Sequence, residues 1–237
     1  MRYSYHDERL QGGGSNKYAL VIFLPHDLDS MISPLRERFD PEYNAVPAHI
    51  TLVFPFETDC PVSDLSAAIH SALEDQKEFL IQLESLDDFY PKSPIIYWNI
   101  ATNRYLGDMY YRLYSSLNRA VPHASFTPHV TIAREISTHR LMLVKEKIVS
   151  YLSPQRFMAT AVDLITPLAN MRWVSVRTFP LGPSRGVSLP GAANAAPTKN
   201  ATAVVAFCRL REKLVVVAIF PLYPQKSDEP FLPVLRT

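Results

Sequence analysis

Two short stretches of this chain carry the residue types that could do chemistry. Residues 47–52 read Pro-Ala-His-Ile-Thr-Leu, and residues 127–132 read Thr-Pro-His-Val-Thr-Ile. The shared core is His-[Ile/Val]-Thr-[Leu/Ile], spaced 80 residues apart. Successive side chains of a strand point to opposite faces. His49 and Thr51 therefore share one face while Ile50 and Leu52 take the other, and the same holds for His129 and Thr131 against Val130 and Ile132. An ordinary histidine titrates near pH ~6.5, so a pair can be divided at neutral pH into one base and one acid. In-line displacement at phosphorus needs that division. One group takes a proton from the nucleophile, and the other gives a proton to the leaving oxygen. Threonine hydroxyls can donate to the nonbridging oxygens and stabilise the charge that develops there.

Other readings of the same residues stand beside this one. A lone strand histidine is usually structural, and it is the second copy, with aliphatics again at the alternate positions, that favours chemistry. A zinc site built from His49, His123 and His129 is the metal alternative. The chain has no HExxH motif and no Cys/His cluster, and threonine is not a usual zinc ligand, so no metal and no cofactor is expected. Seven glycines are present, and only Gly107 falls within 17–181. P-loop and dinucleotide fingerprints need several glycines where backbone approaches phosphate, so neither fits this body. The two cysteines, Cys60 and Cys208, form no CxxC pattern, which argues against a disulfide framework. Net charge is +1, unevenly spread. Residues 183–237 hold seven Lys and Arg against three Asp and Glu, whereas residues 1–182 hold 17 against 20. The main body thus lacks the basic field of a nonspecific nucleic-acid binder, and a phosphate would be held by a few local groups.

The elements that must position the two motifs follow from periodicity. Residues 1–16 end in Gly12–Gly14 and read as a flexible leader. Strands are expected at 18–24, 47–55, 79–86, 94–101, 128–133, 156–166 and 171–181. Helices are expected at 27–39, 62–78, 103–119 and 138–152, the first with a break or late start at Pro34. Several neighbouring strands look hairpin-like, which predicts an α+β domain rather than a doubly wound sheet. The two motif strands, each followed by a helix, suggest two similar lobes facing each other. After residue 182 the composition shifts to Gly, Ala, Pro, Ser and Asn, a linker, followed by two short apolar runs at 204–207 and 214–220. No apolar run is long enough to span a bilayer and no signal peptide is visible, so a soluble, intracellular (cytoplasmic) monomer is the expectation.

The stretches HITLVFPF from His49 and HVTIAR from His129 resemble the 2H phosphoesterase superfamily, the LigT-like 2′-5′ RNA ligases and cyclic phosphodiesterases. The order of elements and a closing Phe179-Pro-Leu-Gly182 extend the resemblance over about 17–182. It implies an α+β, bilobal duplicated fold of two antiparallel sheets flanking a central cleft with helices outside, and metal-independent catalysis on 2′,3′-cyclic or 2′-5′ phosphodiester bonds, acting on RNA ends or small cyclic nucleotides. It also implies that His49 and His129 are the catalytic pair and that Thr51 and Thr131 bind the phosphate. Arg134 belongs to the same resemblance, yet strict alternation puts it on the face of Val130 and Ile132, so it reaches the site only if the strand ends or twists there. His6, His26, His70 and His139 are expected on the surface, and His123 near the second motif. Of the aromatics Phe54, Phe56, Tyr90, Tyr97, Trp98 and Phe126, most are expected in the core, with one or two free to stack a base. A binding protein of the same fold that recognises RNA ends without turnover, and a scaffold whose apolar tail docks a partner, remain alternatives to the enzyme.

Overall fold

The computed structural model describes residues 16–122 and 126–183. The leader up to residue 15, the tail from residue 184 with its two apolar runs, His6 and His123 lie outside the described residues. In chain order the elements are β1 (Lys17–Phe23), α1 (His26–Phe39), β2 (His49–Glu57), α2 (Val62–Leu73), β3 (Phe79–Asp88) and β4 (Ile96–Ile100). They continue with α3 (Arg104–Ser116), β5 (His129–Ala133), α4 (Thr138–Val149), β6 (Gln155–Ala159), β7 (Ala161–Pro167) and β8 (Trp173–Pro180). No helix among the described residues is long and apolar enough to cross a membrane.

The α+β class expected from the hairpin-like strands is what the chain adopts. The sheet differs from the expectation of two. All eight strands join in one sheet of order β6-β3-β4-β5-β2-β1-β7-β8, and every neighbouring pair is antiparallel. The physical reason is that the two motif strands pair with each other. β2 and β5 meet at Ile50 opposite Val130 and so close the sheet at its centre.

One face of this sheet is covered by the helices. Leu20, Ile22, Ile50, Leu52, Trp98, Val130 and Leu164 project into a core shared with Ile32 of α1, Ile69 of α2, Leu113 of α3 and Ile148 of α4. Burial of that apolar surface is the main force setting the strand register, because a one-residue slip would send each of these side chains to the opposite face. α1 packs on β5 and α3 on β2, so each helix clamps the motif strand of the other half of the sheet. The opposite face carries a small apolar cluster, Ala19, Val21, Val46 and Ile165, edged by Phe23 and Trp173.

Two expectations about elements are corrected. The single strand expected at 156–166 is two strands, β6 and β7, which lie near opposite ends of the sheet. The inward residues are Phe157 and Ala159 before the break and Val162 and Leu164 after it, so the parity slips at Thr160. The Thr160 carbonyl accepts from Leu181 N at 2.8 Å instead of continuing a ladder. Pro34 neither breaks nor delays its helix: α1 runs through it from His26. Leu28, Ile32 and Leu35 bury one stripe of α1, and Ser33 Oγ donates to the Asp29 carbonyl at 2.8 Å within the same turn.

Candidate active site

Along β2 the sequence His49-Ile50-Thr51-Leu52 alternates half-buried and buried, and His129-Val130-Thr131-Ile132 on β5 does the same. The buried members face the helices. His49, Thr51, His129 and Thr131 lie on the face the helices leave open. With Ile50 opposite Val130 and the strands antiparallel, His49 runs alongside Thr131 and Thr51 alongside His129. The structure therefore brings all four residues together on two adjacent strands.

Both imidazoles are anchored in the same way. His49 Nδ1 donates to the Pro47 carbonyl and His129 Nδ1 donates to the Thr127 carbonyl, each at 2.8 Å and each two residues back. A carbonyl can only accept, so Nδ1 carries the proton in the neutral ring and Nε2 keeps its lone pair. Burial is the largest influence on the His49 imidazole, which is pushed down to about 4; Arg36, Arg134 and His129 press in the same direction and the bond to Pro47 opposes them. Burial also lowers His129, with the bond to Thr127 opposing and Arg134 adding to the shift. At neutral pH both rings are uncharged.

Aromatic side chains hold the rings from the flanking strands. Phe23, opposite His49 on β1, meets it edge-on with centroids 6.3 Å apart. His129 is held between Phe89, edge-on at 4.9 Å, and Tyr97 at 5.1 Å, which stack on each other at 4.2 Å. Burial pushes the Tyr97 phenol up to about 12, helped by Asp87, so it is a neutral wall and not a proton carrier. Tyr97, expected among core aromatics, is buried but stands opposite Thr131 on the site face.

Arg134 reaches the site region because β5 ends at Ala133. Its backbone N donates to the Phe39 carbonyl at 2.9 Å and Glu135 turns the chain at a φ of 55°, so strand alternation no longer applies. The guanidinium is paired with Asp40 (Nε to Oδ1, 3.1 Å) and Glu42 (3.3 Å). Asp40 is fully buried and also takes Arg36 at 3.1 Å. Arg36 in turn donates to the Val46 carbonyl at 3.0 Å, fixing the segment that leads into His49. Neither Arg36 nor Asp40 announces itself in the sequence. Two charges four apart on a helix read as a solvated pair, and only the tertiary burial of the end of α1 makes them an internal brace. Of the other histidines, His26, His70 and His139 are exposed, as expected. Among the described residues no group of three or more His, Cys, Asp or Glu gathers into a metal-binding cluster.

Residues 24–170, more than half of the chain, match the family described as the 2′-5′ RNA ligase superfamily. The chain belongs to that superfamily. Relatives of this superfamily member include the Geobacillus kaustophilus protein named "Putative phosphoesterase", 30% identical over 169 residues that cover 70% of this chain and 96% of that protein. A Bacillus pumilus protein of the same name is 28% identical over 172 residues, covering 70% and 98%. Among solved structures, Escherichia coli LigT complexed with 3′-AMP superposes with a TM-score of 0.53 at 19% identity, covering 70% of this chain and 98% of LigT. The same protein complexed with NADP+ gives 0.52 at 19% identity, covering 72% and 99%. At that identity the likeness establishes a LigT-like fold of four helices and a curled antiparallel sheet. As a 2H phosphoesterase family member, the chain carries its His-x-Thr strands within the matched region.

Proposed function

We propose that this chain is a metal-independent phosphoesterase acting on 2′,3′-cyclic phosphate or 2′-5′ phosphodiester bonds of RNA ends or nucleotides, with His49 and His129 as its base and acid. The observation that carries the reading is the matched anchoring of the two rings through Nδ1 on the open face of adjacent strands, which in the neutral ring leaves each Nε2 with its lone pair. The relatives named as phosphoesterases and the LigT complex with 3′-AMP support it.

In cyclic phosphate hydrolysis, Nε2 of one neutral imidazole takes a proton from the attacking water. The other ring must arrive protonated at Nε2 and give that proton to the departing ribose oxygen. Arg36 and Arg134 both oppose charging of His49 whereas His129 feels Arg134, so His49 is the ring held more firmly in the neutral form from which a base must start. His129 is then the acid. An anionic phosphodiester between the rings favours the charged imidazole, so substrate binding itself recruits the missing proton. Thr51 and Thr131 hydroxyls donate to the nonbridging oxygens, and the Arg134 guanidinium adds positive charge nearby.

The test is turnover of a 2′,3′-cyclic nucleotide in metal-free buffer, comparing the wild-type chain with His49→Ala and His129→Ala. The expected result is hydrolysis to a monophosphate, reduced about 10²–10⁴-fold by either substitution. Tight binding without turnover would leave a non-catalytic nucleotide-binding protein of the same fold.

A further inference from the structure

On the far side of His129 from Thr51, the open face carries a side chain that the proposed chemistry does not use. Asn99 on β4 lies directly opposite His129 on β5. Its chain neighbours Trp98 and Ile100 are buried in the core under the helices, so strand alternation turns Asn99 to the face of the histidines. Directly opposed residues of an antiparallel pair hold their Cβ atoms about 4.5–5.5 Å apart, which puts the carboxamide within reach of a group bound at His129. Asn99 is half-buried, and among the described residues its carboxamide makes no hydrogen bond. Asparagine is disfavoured within strands, and β4 is otherwise Ile-Tyr-Trp and Ile. A polar side chain that neither packs the core nor pairs with a neighbour is free to meet a ligand.

The strand order says which part of a substrate arrives there. In an in-line displacement the nucleophile and the departing oxygen lie on opposite sides of phosphorus. With the base on β2 and the acid on β5, the departing group extends from His129 away from β2, and the next strand in that direction is β4. On the other side Phe23 stands against His49. Beyond Asn99 the sheet is acidic. Glu84 and Ser85 fill the stretch of β3 facing Asn99, where the register shifts between Leu83 and Leu86. Glu84 accepts from Gln82 Nε2 at 3.3 Å, and Asp87 accepts from the Tyr97 hydroxyl at 3.4 Å. Those carboxylates repel a second phosphate, so the group over Asn99 is uncharged. A carboxamide both donates and accepts, as a sugar hydroxyl does. We infer that Asn99 binds the sugar of the departing nucleoside, hydrogen-bonding ribose oxygens other than the one that leaves, and so makes the site select ribose esters over simple cyclic phosphates. This assignment rests on the phosphoesterase reading, with His129 as the acid.

The experiment compares wild-type protein with Asn99→Ala on three strained cyclic phosphates: adenosine 2′,3′-cyclic monophosphate, methyl riboside 2,3-cyclic phosphate, which lacks the base, and ethylene phosphate, which lacks the sugar. Asn99→Ala is expected to lower kcat/KM about three- to tenfold on the first two, the range of a lost neutral hydrogen bond, and to leave ethylene phosphate unchanged. The pH–rate profile should keep its shape, because the two histidines are untouched. Should Asn99→Ala fail to fold, Asn99→Val, which suits a strand and makes no hydrogen bond, should give the same pattern. An equal loss on all three substrates would place Asn99 on the shared phosphate or behind His129 and overturns the assignment, as does no loss on any. A loss confined to the adenosine compound moves the contact to the base and overturns the ribose assignment too. If wild-type protein turns over none of the three, the phosphoesterase reading fails. Calorimetry then decides the Asn99 contact alone: it stands if Asn99→Ala weakens binding of 3′-AMP and not of inorganic phosphate, and falls otherwise. If wild-type protein binds neither, both readings fall together.

Discussion

His49 and His129 begin neutral, and the proposed chemistry requires one of them to be charged. The proton must therefore come with the substrate. Binding of a nucleotide monoanion at pH 7 should take up protons, measured as a dependence of the calorimetric enthalpy on the ionisation enthalpy of the buffer. Release of protons, or no exchange, would contradict the neutral starting states toward which burial pushes both rings. The same lowered values act on stability. Both rings titrate lower in the folded chain than the ordinary ~6.5 of an unfolded one. The unfolded chain thus binds more protons as pH falls below about 6.5, and the folded state loses stability progressively toward the folded value of His49 near 4. Thermal transitions recorded from pH 7 to pH 4 should fall, and His49→Gln should flatten part of that slope. An unchanged slope would mean that His49 is not the group responsible. In kinetics the double variant His49→Ala/His129→Ala should lose less than the product of the single losses, because the two act as a unit. Thr51→Val and Thr131→Val each remove one donor and should cost about 1.5–3 kcal/mol in kcat/KM.

At the scale of elements, the motif strands were legible because their alternation is local: a half-buried polar residue and a buried aliphatic in turn, twice. Most helices were legible for the same reason, since Ile69 and Leu73 of α2 or Met109 and Leu113 of α3 recur at helical spacing. The Thr160 break was visible only as a parity slip, and an apolar run crossing it reads as one strand until its partners are known. α2 stops at Leu73, shorter than its periodic pattern, because Lys77 and Glu78 are drawn into pairing with Gly182. That competition is long-range and leaves no local trace. The Asp40 brace was illegible for a related reason. It joins the end of α1, the approach to β2 and the exit of β5, three segments that are distant in sequence. Asp40→Ala leaves two arginines facing each other without their shared carboxylate. Removing one partner of a buried pair costs about 3–5 kcal/mol. Denaturant unfolding should register a loss of that order, and Asp40→Asn a smaller one.

Across the described residues, the helices cover one face of the sheet, and the two histidines with their threonines lie on the other. The proposed acid, base and positive charge all come from side chains, from His129, His49 and Arg134. Turnover is therefore expected to persist in excess EDTA at an unchanged rate. A loss of activity restored by zinc or magnesium would return the metal alternative. The sheet has two four-stranded halves, each contributing one histidine, joined where Ile50 faces Val130. That join had no counterpart in the expectation of separate sheets, because pairing between strands 80 residues apart is set by the helices that clamp them and not by either strand alone.

Because His49 and His129 are tethered alike, through Nδ1 to the carbonyl two residues earlier, the proton can start on either ring without any strand moving. Running the proposed cleavage backwards needs that exchange and nothing more: the former acid accepts from an attacking hydroxyl, and the former base delivers to the departing water. A site built this way speeds making and breaking of the linkage by the same factor. Which of the two a cell observes is then decided outside the protein, by the relative amounts of water, free hydroxyl ends and strained cyclic ends presented to it.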